Sequence, residues 1–173
     1  TENSWAKSIG ITWAVSGEKY TMNQIDWKGK KLEGDLKLTG CDWLFKLDCS
    51  NNSLTSLNVS GCARLTSLSC TDNELTSLNV SGCTALTSLS CQNNELTLLD
   101  VSGCPILRSL SCEYNELTEV KGLTTALNSI TCQENSIPFT ILSGFPALDS
   151  PNTSYAPQRI ERNVKPGDVL DMK

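Results

Sequence analysis

The chain has 173 residues, 39% hydrophobic, 19% charged and 6% aromatic, with a net charge of −5, which is room for one domain with a small appendage. The acidic balance argues against a nucleic-acid binder, which needs a basic patch, and no apolar run approaches the roughly 20 residues of a membrane-spanning helix. The sequence contains no histidine, which removes Ser-His-Asp and Cys-His catalysis and every His-ligated metal site.

The chain begins at Thr1 without a signal-like segment, as expected of a processed product. All four tryptophans, Trp5, Trp13, Trp27 and Trp43, lie in the first 43 residues. Ile9, Ile11, Trp13 and Val15 alternate with smaller residues, Ser16-Gly17 marks a turn, and Tyr20 and Met22 start a second alternation. This predicts an N-terminal β-hairpin cap over residues 1–35. The rival reading is an aromatic platform for a sugar.

From residue 36 the sequence repeats. Copies start at Leu44, Leu65, Leu86, Leu107 and Leu127, in steps of 21, 21, 21 and 20 residues, and Leu36, Leu38 and Cys41 match the second half of one earlier copy. Each copy has two similar halves, L-x-x-L-x-C-x-x-N (Leu65, Leu68, Cys70, Asn73) and L-x-x-L-x-V-x-x-C (Leu75, Leu78, Val80, Cys83). The L-x-C and L-x-V alternation is the period of a strand with one buried face, and no helical period runs through the repeats. The expected fold is mainly β: 21-residue coils stacked into parallel sheets over residues 36–148, with a Leu/Val/Cys core that no single coil can bury alone.

The asparagines Asn52, Asn73, Asn94, Asn115 and Asn135 form a ladder at the bend after the first strand, where each amide is expected to satisfy backbone groups. The nine cysteines include no C-x-x-C pair and are odd in number, so neither a zinc site nor complete internal pairing is expected. They read as small buried hydrophobes with inert thiols. Ser, Thr, Asn and charged residues mix in the outward columns, a soluble surface rather than a regular ice-binding face. The first 43 residues and residues 148–173 are charge-balanced, so the repeats carry the whole net charge. Prolines from Pro138 to Pro157 break the pattern, and residues 149–173 should cap the solenoid or link it to a further domain.

The first half-repeat resembles the L-x-x-L-x-L-x-x-N segment of leucine-rich repeat proteins, and the double motif resembles their bacterial 21-residue class. The chain departs from that family with Cys in place of the third Leu and with one residue fewer near Lys121 and Gly122. The tail, Tyr155-Ala156-Pro157-Gln158 with Gly167-Asp168, is similar to the segment after the last repeat in cell-surface proteins of anaerobic, gut-associated bacteria. The resemblance implies a non-catalytic module of a secreted or surface-displayed bacterial protein, recognising a protein or a glycan and acting in adhesion. The alternative is a structural spacer holding another domain away from the cell. An enzyme using Glu113 and Glu134 ranks last, because no pocket former accompanies them. No cofactor or metal is expected, and the chain should be a monomer with no membrane span. If a binding face exists, it is expected at the late first-half strands, Glu113, Tyr114, Gln133 and Glu134, where an aromatic, an amide and carboxylates interrupt the Ser/Thr surface.

Overall fold

The computed structural model describes residues 11–16 and 19–138, with side-chain surroundings from residue 23 onward. Among them every regular element is a strand. β1 (Ile11–Ser16) and β2 (Lys19–Asp26) pair antiparallel, with a register shift at Thr12/Trp13. β2 then pairs in parallel with β4 (Lys46–Asp48), and β6 (Ser67–Ser69), β8 (Ser88–Ser90), β10 (Ser109–Ser111) and β12 (Ser129–Thr131) follow in one seven-stranded sheet. The chain is a parallel β-solenoid of about five turns with a 21-residue step, and the hairpin is continuous with its first sheet.

The inward columns pack as their period requires. Leu44, Leu65, Leu86, Leu107 and Leu127, then Leu47, Leu68, Leu89, Leu110 and Ile130, then Cys49, Cys70, Cys91, Cys112 and Cys132, are all buried in one core. Each fully buried leucine contributes about 1.5–3 kcal/mol of transfer free energy. Trp27 and Trp43 are half-buried and pack against that core at its N-terminal end.

The first coil starts earlier than the repeat motif. Ile25 pairs with Leu47 and Asp26 with Asp48, and Trp27 N–H donates to Asp48 O as Cys49 N–H does to Ser69 O. Trp27 therefore stands where later coils have Cys. Residues 23–32, within the span expected for the cap, form the first half of a coil whose second half begins at Glu33. The expected cap or linker at 149–173, the solenoid end at 139–148, Trp5 and the turn at Gly17 lie outside the described residues.

The second halves form two separate sheets: β3 (Glu33–Lys37), β5 (Ser53–Asn58) and β7 (Ser77–Asn79) in one, β9 (Leu98–Asp100) and β11 (Glu119–Lys121) in the other. Elsewhere the bonds between coils recur: Val59 N–H to Asn79 O, Gly61 N–H to Ser81 O, Thr76 N–H to Thr55 O, Val101 N–H to Lys121 O and Thr118 N–H to Thr97 O. Among the described residues, the corresponding donors Val80, Gly82 and Thr97 make no such bond between β7 and β9.

A sequence change accompanies this break. Asp42 and Ala63 each donate N–H to the turn glycine two residues earlier, Gly40 and Gly61, at 3.0 and 2.9 Å. Pro105 holds that position in the third full coil and has no N–H. Gly103 leaves the positive-φ region that Gly40, Gly61 and Gly82 occupy, and its backbone crowds Gly82 so closely that an added Cβ would lie 2.6 Å from the Gly82 nitrogen.

The shortened copy closes differently. Val120 pairs with Leu99, which puts Gly122 where Val101 stands one coil earlier. Gly122 has φ 75°, and a Cβ there would lie 2.2 Å from the Ser102 nitrogen. Only glycine fits this approach.

Candidate functional site

Each of the five repeat copies bends after its first strand through one non-glycine residue in the left-handed region, at the place Gly29 holds in the coil before them. These are Asn51 (φ 56°), Asp72 (54°), Asn93 (55°), Tyr114 (54°) and Glu134 (55°). Asn and Asp adopt this conformation readily, whereas a bulky side chain there is an outlier. The fourth and fifth copies thus place a tyrosine and a glutamate where the first three copies use the residues the backbone favours. Tyr114 is 54% exposed and is among the few exposed large apolar side chains described. Its N–H donates to Gln133 O and its carbonyl accepts from Asn94 N–H, which fixes the backbone beneath an outward ring.

The four residues expected to form a binding face divide into two environments. Tyr114 and Glu134 are neighbours in the left-handed column. Glu113 and Gln133 follow the inward cysteines and are half-buried rather than projecting past the sheet edge. Glu113 Oε2 accepts a 2.5 Å hydrogen bond from Thr131 Oγ1, and the Gln133 side-chain oxygen is buried with no partner, as is that of Gln92 in the same column. Glu113 thus lies over the outward face of β12 with its carboxylate held by Thr131.

The asparagine ladder lies directly behind the left-handed column. Asn94 Oδ1 accepts from Leu75 N–H of the preceding coil at 3.0 Å, and its Nδ2 donates to Cys70 O, Cys91 O and Gln92 O. Asn52, Asn73, Asn115 and Asn135 repeat this pattern. Their polar atoms are committed to the backbone, which leaves the residues just before them to face a ligand.

All nine cysteines are free thiols, eight of them buried. Burial pushes Cys49 and Cys83 up to about 12 and Cys104 up to about 11, and it raises Cys62, Cys70, Cys91 and Cys112 as well. A thiol so reluctant to ionise is a poor nucleophile at neutral pH. Cys62, Cys83 and Cys104 donate to Leu38 O, Val59 O and Val80 O of the preceding coil. Among the described residues no three of His, Cys, Asp or Glu gather as metal ligands, and no helix is long and apolar enough to cross a membrane.

The break between β7 and β9 opens two adjoining cavities of about 260 and 290 Å³ that share Leu78 and Asp100. Asn79, Ser81, Ser102 and Gly103 line one, and Thr76, Ser77, Thr97 and Leu98 line the other. Leu78 is half-exposed, while Leu57 and Leu99 in the same column are buried. The Ser102 hydroxyl and N–H hold the Asp100 carboxyl below the usual carboxylate range. Sequence reasoning missed this place. Its signals were Leu98 in place of Ser77 and Pro105 in place of Ala63 and Thr84.

The chain matches no known protein-family model, and no curated protein or solved structure is significantly similar to it.

Proposed function

We propose that the chain is a non-catalytic recognition module of the leucine-rich type, displayed on or secreted from a bacterial cell, that binds a protein or glycan ligand through its C-terminal bends. The observation that carries this reading is Tyr114, an exposed aromatic held at φ 54° where three earlier coils use Asn or Asp. Residues kept in disfavoured backbone conformations concentrate at functional sites, and tyrosine is enriched where proteins meet partners. Acidic side chains nearby, Glu116 and Glu134, favour a basic or hydroxyl-rich ligand and make binding salt-dependent. The uniform column Ser67, Ser88, Ser109 and Ser129 on the first sheet supports a second reading, a spacer with no ligand of its own.

The test is a Tyr114→Asn, Glu134→Asn double variant, assayed beside the parent against glycans, mucin and host surface proteins. Asparagine suits the left-handed backbone, so the fold is retained. Binding by the parent that disappears in the variant supports the reading. Undiminished binding in the variant places the site elsewhere, and no binding by either favours the spacer.

A further inference from the structure

We propose that the slot between β7 and β9 is a second binding site, which takes one neutral, hydroxyl-rich ring such as a sugar residue. It is separate from the Tyr114 bends and stands whether or not they bind anything.

The walls carry unused main-chain groups of both kinds. Thr97 presents an N–H group, and Thr76, Asp100 and Ser102 present carbonyls, all left over where the ladder is interrupted, and beside the lining the Val80 and Gly82 N–H groups also lack their ladder partners. A ligand that meets donors and acceptors side by side needs groups that both donate and accept, as hydroxyls do. The Asn79 Nδ2 group and the hydroxyls of Ser77 and Ser81 add to this set, while the Ser102 hydroxyl and Asn79 Oδ1 are engaged in their own turns. No basic residue lines the slot, and the Asp100 carboxylate disfavours an anion. Leu78 below and Leu98 at the lip, 44% exposed, provide an apolar surface for the C–H face of a ring.

The size of the slot selects against an inserted peptide strand. The first-half strands β6 and β8 pair in full register behind it, which holds these coils one strand spacing apart. An added strand needs about 4.8 Å on each side. The slot is also pinned at both ends, by the Glu95 N–H to Leu75 O bond at 3.0 Å and by the close approach of Gly103 to Gly82. What remains is short and closed-ended, near the lower limit of small-ligand pockets, roughly 300 Å³. Water there can be displaced with gain only by groups that reproduce its hydrogen bonds.

The experiment is an amide chemical-shift titration of the full chain with glucose, galactose, mannose and N-acetylglucosamine, each free and as the terminal residue of a short oligosaccharide. Saturable shifts centred on the Val80, Gly82 and Thr97 amides are expected with at least one of these sugars, and they should persist in Tyr114→Asn. Leu78→Phe, which fills the slot, should weaken them by about tenfold or more. Asp100→Asn keeps the turn contact that Asn58 and Asn79 make in their own coils and should retain the fold and the pattern of shifted amides. Absence of saturable shifts with every sugar, shifts centred elsewhere, or equal binding by a folded Leu78→Phe variant each overturns the proposal.

Discussion

Asn73 and Cys83 do the same work at opposite bends of one coil. Each reaches back 24 residues to a carbonyl of the preceding coil, Asn73 Nδ2 to Cys49 O at 3.1 Å and Cys83 Sγ to Val59 O at 3.2 Å. The two half-repeats are therefore alike in mechanism as well as in spacing. A side-chain donor follows each strand and ties the bend to the coil before it. The amide makes several bonds and the thiol one weak bond, so the two bends are unequally secured.

This inequality sets the first prediction. Asn94→Ala leaves Leu75 N–H unpaired in a buried corner and takes one of two amide donors from Cys70 O and from Cys91 O, which keep Asn73 Nδ2 and Asn115 Nδ2; the unsatisfied N–H costs about 1–3 kcal/mol, and the lost amide bonds add to it. Cys83→Ala removes one weak bond and a small side chain, and should cost about 1–2 kcal/mol. Urea denaturation of the two variants should rank them in that order. Equal losses would show that the amide is not the main tie.

The thiols make stability fall at alkaline pH. In the unfolded chain they ionise near 9, while burial keeps Cys49 and Cys83 protonated to about 12 and Cys104 to about 11. The folded state therefore binds more protons between these limits. Its advantage is complete below pH 9 and is lost as pH rises toward 11 to 12, with a slope of about 1.4 kcal/mol per pH unit for each such thiol. Urea midpoints at pH 7.5, 9 and 10.5 should decline in the upper interval, and Cys49→Ala should flatten the decline. A midpoint constant to pH 10.5 would contradict the burial.

Tyr114 should be replaceable with a gain in stability. A non-glycine residue in the left-handed region costs about 1–2 kcal/mol, and asparagine, which Asn93 uses one coil earlier, relieves much of that. Tyr114→Asn is expected to raise the melting temperature by about 2–4 °C for each kcal/mol relieved. A lower melting temperature would mean that the ring contributes packing that outweighs the backbone cost.

Gly122 and Gly29 form a matched pair of tests. Both have positive φ, 75° and 63°, but an added Cβ at Gly29 meets nothing within 4 Å, whereas at Gly122 it meets the Ser102 backbone. Gly29→Ala should cost about 1 kcal/mol from the backbone alone. Gly122→Ala should cost roughly 3 kcal/mol or more, because overpacking adds to that. Thermal melts of both variants decide the matter, and similar losses would remove the close contact from the account.

The period, the core columns and the asparagine ladder were legible in the sequence because each depends on residue type. Leu at a buried position and Asn at a buried bend have few substitutes. The first coil was half hidden because Ile25 alone keeps its column and Trp27 stands in the cysteine place, while backbone ladders do not depend on side-chain identity. At the candidate site the exposed Tyr114 was legible, but its strained backbone was not, since neither Tyr nor Glu announces a left-handed bend. The partial burial of Glu113 and Gln133 depends on contacts between coils, such as Glu113 with Thr131, that a two-residue period does not carry. The carbonyl-binding role of Cys83 was masked because a thiol reads equally as a hydrophobe. The break beside β9 coincides with an altered turn around Gly103 and Pro105, several residues away from the strands it separates.

The interruption between β7 and β9 also bears on cooperativity. A repeat array holds together through couplings between nearest neighbours. At the other junctions where both halves are described, two sheets link one coil to the next; here one sheet does so, helped by the shared core and the side-chain and backbone ties at the bends. Among the described junctions this one carries the smallest coupling, so unfolding should part the described coils there, into an N-terminal block ending at β7 and a C-terminal block beginning at β9. A single melting temperature would then average two events, and probes placed on either side of the junction would report different midpoints.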